Sequence, residues 1–133
     1  MSPVVLDTDV SSLIHKRWLP PTLASKLVGT TPVITFVTLA ELTKWMDIRD
    51  WGVRSRNALA AWLQSIPVLP GDEDVAVTWG RLAAAAVKRG RPRPMNDMWI
   101  AACCLTHGVP LVTLNVKDFE DFAIHHGLNL ITL

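Results

Sequence analysis

At 133 residues, half of them hydrophobic and 19% charged, the chain has the size and apolar content of one packed domain, not of a disordered or multidomain protein. Thirteen Lys and Arg against twelve Asp and Glu leave a net charge of +1, which excludes a general basic coat for nucleic acid, so any such contact must be local. The longest unbroken apolar run, residues 98–105, is far too short to cross a bilayer, and the N-terminus lacks the basic start and apolar stretch of a signal peptide; a cytoplasmic location is expected.

In chain order, residues 4–6 read as a short buried strand that closes on the D-x-D of "VVLDTDVSS", followed by a helix ending near His15, Lys16 and Arg17. A second strand is expected at residues 33–36. In "TLAE", Thr38 and Glu41 have the spacing of a capping box for the helix that carries Leu42, Trp45 and Met46. Leu59, Trp62, Leu63 and Ile66 share one face of a helix starting near Val53, with a possible short strand near Val68. The next helix opens with Asp72, Glu73 and Asp74 and closes with Lys88, Arg89 and Gly90, an order of charges that suits its dipole and C-cap. The loop "RPRP" breaks it. Residues 96–107, apolar nearly all round, form a buried helix that Gly108 ends; strands follow at 111–114 and 130–132. Strands alternating with helices predict an α/β domain with a parallel sheet of four or five strands and helices on both faces. Cys103 and Cys104 are adjacent within the buried helix, where they read as reduced core residues and not as a bridge or a zinc site. A positive mean hydropathy and six Trp exceed what one small monomer would hide, which predicts a dimer or a dedicated partner.

Four acids stand out, each with a plain structural explanation. Asp7 fits a turn residue, Glu41 a capping-box member, and Asp97 and Asp118 first-turn helix acids. Together they read differently. Each lies just after a strand, or at a helix start on the same edge of the sheet, and ligands of open α/β sheets bind outside the carboxyl ends of the strands. Carboxylates gathered there repel one another and call for a hard divalent cation, Mg²⁺ or Mn²⁺. An all-carboxylate site of this kind suits phosphodiester hydrolysis, in which a cation lowers the pKa of an attacking water and stabilises the leaving oxygen.

These residues resemble the PIN-domain ribonucleases, and among them the VapC-type toxins of type II toxin-antitoxin pairs. The resemblance spans the whole chain through "VVLDTDVSSLI", "TLAEL", "MNDMWIAACCLTHGVPLVT" and "LNVKDF", in that order and spacing. It implies that Asp7, Glu41, Asp97 and Asp118 form the acidic quartet, with Asp7 and Asp97 holding the metal directly and Asn115, Thr113 and Ser12 supporting the site. Asp9 departs from the pattern, which commonly has a small polar residue there; the extra carboxylate either helps to bind metal in support of the site or only caps the first helix, and the cap is the favoured expectation. The resemblance further implies a homodimer that cuts structured RNA such as tRNA or rRNA, leaving a 5′-phosphate and a 3′-hydroxyl and inhibiting translation. Its cognate antitoxin would lay a helix in an apolar groove, for which Leu13, Trp45, Met46 and Trp51 are candidates, and push a basic side chain towards the acids. Lys88, Arg89, Arg91 and Arg93, upstream of Asp97, either hold RNA phosphates or form a solvated helix end, and His15, Lys16 and Arg17 admit the same two readings. His107, His125 and His126 receive no role.

Two other classes compete. "DTDVS" also resembles the D-x-D-x-S/T start of haloacid-dehalogenase-type phosphatases, but the acidic pair in "GDEDV" comes early and opens a helix, and "TLAE" and "MND" would be unexplained. A receiver-like signalling domain or an inactive PIN-fold binding module is the non-enzymatic alternative. A receiver needs an acceptor aspartate ending a middle strand, whereas Asp47 and Asp50 lie in or beyond a helical pattern. No G-x-G-x-x-G follows the first strand, which disfavours a dinucleotide site.

Overall fold

The computed structural model describes residues 2–49 and 52–133. Five parallel strands, β1 (Ser2–Leu6), β2 (Thr30–Thr35), β3 (Val68–Leu69), β4 (Leu111–Val112) and β5 (Leu130–Ile131), are ordered β3-β2-β1-β4-β5. Around them lie α1 (Thr8–His15), α2 (Pro21–Lys26), α3 (Phe36–Ile48), α4 (Val53–Ser65), α5 (Glu73–Lys88), α6 (Met95–His107) and α7 (Val116–His126). The chain runs outward from β1 through β2 to β3, then returns to place β4 on the other side of β1. The switch in direction opens a crevice at the carboxyl ends of β1 and β4.

The period-two alternation of the strands builds both layers. Val5, Val33 and Leu111 point to one face, into a core shared with α5, α6 and α7; Val4, Leu6, Ile34 and Val112 point to the other, against Val10 of α1, Leu23 of α2 and the Trp62 and Leu63 side chains of α4. Helix α6 is buried through Met98, Ile100, Ala101, Ala102, Cys103 and Cys104 and ends at Gly108, whose φ of 65° is one that a side chain would strain. Both cysteines are free. Among the described residues no helix is long and apolar enough to cross a membrane.

Three sequence expectations need correction. The strands expected at 33–36 and 111–114 end earlier, because Phe36 already belongs to α3 and pairing of β4 stops at Val112. Helix α3 is capped by Thr35, whose hydroxyl accepts from Thr38 N at 3.4 Å, so Thr38 lies inside the helix and the Thr38–Glu41 capping box does not form. Helix α1 is capped by Asp7 and not by Asp9: Asp7 Oδ1 accepts from Val10 N at 2.8 Å. The short helix α2 was not individually expected; Pro21 at its first position supplies a φ already suited to a helix start.

Candidate active site

The crevice beyond β1 and β4 is a cavity of about 90 Å³ whose lining includes Asp7, Asp9, Glu41, Asp97 and Asp118. Five elements deliver these acids. Asp7 follows β1 directly, and its backbone N–H donates to Val112 O at 3.1 Å, which locks the end of β1 to the end of β4. Asp9 stands in the first turn of α1, Glu41 on α3, Asp97 in the first turn of α6 and Asp118 in the first turn of α7. The four acids expected to converge do so, with Asp9 added to them.

Each of three carboxylates is held by a neutral donor. Asp7, only 3% exposed, accepts from Val10 N and also from the Thr113 hydroxyl at 2.5 Å, while Thr113 Oγ1 accepts from Asn115 N at 2.9 Å. The Thr8 hydroxyl donates to Glu41 Oε1 at 2.8 Å and contacts Thr38 Oγ1 at 3.0 Å. Asn115 Nδ2 donates to Asp9 Oδ2. Hydrogen bonds to uncharged donors orient an acid without neutralising it, and the electrostatics record the result. Burial, with added repulsion from Asp9 and Asp97, pushes Asp7 up to about 6 even though Thr113 and Val10 N pull it down. Burial, then Asp118 and Glu41, pushes Asp97 up to about 6 against the opposing pull of Arg93.

Among the described residues, no group of three His, Cys, Asp or Glu side chains is placed closely enough to hold a metal ion. The chemistry of the donors nevertheless fits a divalent cation: the titratable groups lining the crevice are all carboxylates, hard oxygen ligands of the kind Mg²⁺ and Mn²⁺ prefer, and no lysine lines it to act as a built-in counter-charge.

A PIN-domain family model matches residues 4–125. The chain belongs to the PIN-domain family. Within it the chain is of the VapC type: the protein named Ribonuclease VapC1 from Haemophilus influenzae strain R2866 is 31% identical over 120 residues, spanning 87% of this chain and 89% of that protein. A protein named tRNA(fMet)-specific endonuclease VapC, from Shigella flexneri, is 30% identical over 65% of this chain and 66% of its own. The crystal structure of VapBC-5 from Mycobacterium tuberculosis, described as a member of the VapBC family of toxin-antitoxin systems, superposes with a TM-score of 0.74 at 28% identity and covers 100% of both chains.

In this VapC-type PIN domain the remaining candidates divide. Thr113 and Asn115 support the acids as the hydrogen bonds above show, whereas Ser12 lines a neighbouring groove together with Leu13 and Trp45. Met46 is half-buried and lines neither cavity, and Trp51 lies outside the described residues. Of the basic set, Arg93 acts electrostatically on Asp97. Arg89 is turned towards α7, with Nη1 donating to His126 Nε2 at 3.3 Å, and Arg91 faces Asp121 at 3.5 Å; Lys88 is exposed at the end of α5. One residue was missed from the sequence. Thr8 looked like the spacer between two aspartates, and its partners lie thirty or more residues away. The position of Trp45 at the mouth of the acidic crevice needed the sheet order to be known.

Proposed function

We propose that the chain is a divalent-cation-dependent endoribonuclease, the toxin of a toxin-antitoxin pair, which hydrolyses phosphodiester bonds in structured RNA such as tRNA or rRNA and is restrained by a small antitoxin protein. The observation that carries the reading is the crevice with five carboxylates, two of them buried enough to be raised to about 6. The names of the Haemophilus and Shigella relatives support the ribonuclease activity and a tRNA substrate, and the Mycobacterium complex supports an antitoxin partner. Exposed apolar side chains on several elements, including Val28, Val87 and Ile124, support self-association.

Asp7 and Asp97 would hold the cation, with Glu41, Asp118 and Asp9 around them. A bound Mg²⁺ or Mn²⁺ supplies Lewis-acid polarisation of the phosphate and lowers the pKa of a coordinated water. The chain does the positioning. Thr113 fixes one oxygen of Asp7 and the N-terminus of α1 fixes the other, so this carboxylate presents a constant face to the crevice. Thr8 holds Glu41 in place, and an acid not engaged by the cation accepts the proton of the attacking water as the P–O3′ bond breaks. The products are a 5′-phosphate and a 3′-hydroxyl. Both oxygens of Asp7 already accept hydrogen bonds, which disfavours it as the nucleophile of an aspartyl-phosphate phosphatase. Asp47 lies in α3, where it pairs with Arg56 at 2.9 Å, and does not end a strand as a receiver acceptor would.

The test is incubation of purified, antitoxin-free protein with total cellular RNA in Mg²⁺, in Mn²⁺ and in EDTA, followed by end mapping. Discrete fragments that require metal and bear 5′-phosphates are expected. Intact RNA in every metal, with hydrolysis of a small phosphomonoester instead, would return the phosphatase reading.

A further inference from the structure

A second cavity, of about 360 Å³, opens directly beside the acidic crevice and shares Asp9, Trp45 and Asn115 with it. Its volume lies in the range of sites that bind small planar ligands, roughly 300–1,000 Å³. Two helices build its walls, and each carries the same series along one face. On α1 the residues Asp9, Leu13 and Lys16 run acid, apolar, base at helical spacing; on α3 and its C-cap, Glu41, Trp45 and Arg49 do the same at intervals of four. Both helices begin at the crevice, so charge changes sign in the same direction on both walls, with an indole in the middle. Arg49 lies over that indole, its Cζ 4.9 Å from the ring centroid. Lys16 and Arg49 go on to line a further cavity with His15 and Ser55, which extends the basic end. Among the described residues, neither Lys16 nor Arg49 is held in an ion pair with an acid.

We propose that this groove is a nucleotide subsite that holds single-stranded RNA next to the scissile phosphate, with a base stacked on the Trp45–Arg49 pair and the following phosphate bound by Lys16 and Arg49. The inference rests on the nuclease reading and adds the route by which the strand leaves the crevice. The sequence of charges carries it. A strand with one phosphate at a cation-loaded acidic crevice presents next a flat aromatic base and then another anion, and both helix walls offer indole or leucine and then a cation in that order. Arg89 and Arg91, for which the sequence left an RNA contact and a solvated helix end open, face His126 and Asp121.

The test measures binding of a fluorescein-labelled single-stranded oligoribonucleotide in EDTA, across a range of salt concentrations, for the wild type and for Lys16→Gln/Arg49→Gln, Trp45→Ala and Trp45→Phe, together with KM and kcat for RNA cleavage in Mn²⁺. The double variant is expected to bind about tenfold more weakly, with the log–log salt slope shallower by about 1 to 1.5, since each phosphate contact on a single strand accounts for about 0.7. Trp45→Ala is expected to lose about tenfold and Trp45→Phe much less, because a phenyl ring still stacks; the losses should fall in KM. Wild-type affinity and salt slope in the double variant and in Trp45→Ala would overturn the proposal. So would intact RNA binding combined with lost binding of the antitoxin, which would assign the groove to a protein. If the wild type binds RNA through these residues but cuts none, the nuclease reading fails while the subsite stands.

Discussion

Two carboxylates, Asp7 and Asp121, are buried to nearly the same depth, 3% and 6% exposed, in opposite electrical surroundings. Asp121 of α7 has a cation supplied by its own chain: Arg91 reaches it at 3.5 Å from the loop after α5, and the neighbouring Arg89 bonds His126 one turn further along the same helix. Asp7 has threonine, a backbone N–H and other acids. Burying a charge is costly unless it is compensated: Asp121 is met by a cation of its own chain, though its buried Oδ2 accepts no hydrogen bond, whereas Asp7 is met by other acids. The comparison separates an acid that fastens a helix from acids that form a site.

The sharpest way to break this contrast is to neutralise one acid on each side. Asp97→Asn removes one of the two acids assigned to the cation at nearly constant shape, and RNA cleavage is expected to fall on the order of 100-fold or more, while thermal unfolding shows the fold intact. Asp121→Asn is expected to leave cleavage unchanged and to cost about 1 kcal/mol or less, because Arg91 is largely exposed. Equal loss of activity in both would erase the distinction.

Thr113→Val tests whether neutral donors matter on the crevice side. It removes the hydroxyl that bonds Asp7 and receives Asn115 N. Metal affinity, read from activity against Mn²⁺ concentration, should weaken roughly tenfold, as for other groups that orient a ligand. Unchanged affinity would show that Asp7 needs no orientation.

The metal-free protein should also record its uncompensated acids in its pH dependence. Asp7 and Asp97 have folded-state values of about 6 against 3.8 for a free carboxyl, so the folded form binds the proton more tightly. The stability this confers is fully present below 3.8 and is lost as pH rises through about 6. In EDTA the unfolding free energy contributed by these groups should therefore decline between pH 4 and 6.5, by on the order of 2 kcal/mol for buried Asp7 and less for the more exposed Asp97. Asp97→Asn should flatten part of this decline. The smallest effect is expected from Arg91→Gln: about 0.5 kcal/mol of stability at low salt, with the metal response untouched.

Much of this was legible in the sequence. Strand cores such as residues 4–6 announced themselves through apolar β-branched runs, and the acids could be gathered at one edge because parallel strands alternating with helices send all their carboxyl ends the same way. What escaped depended on partners distant in the chain. Thr38 looked like the cap of α3; Thr35 caps it instead, while Thr38 meets Thr8. Asp9 looked like a cap because the residue that holds it, Asn115, is 106 positions away. For Arg89 and Arg91 the sequence left a phosphate contact and a solvated helix end equally open, because His126 and Asp121, which they face, come from α7. Local pattern fixes an element, but the partner of a polar side chain is set by topology.

The most direct test of the central claim, that the crevice acids are balanced only by a divalent cation, is calorimetric titration of Mn²⁺ into the wild type, Asp97→Asn and Asp121→Asn at pH 7.5. Saturable binding to the wild type and to Asp121→Asn, with binding to Asp97→Asn weakened at least tenfold, is the predicted result. Equal Mn²⁺ affinity in all three proteins would contradict it.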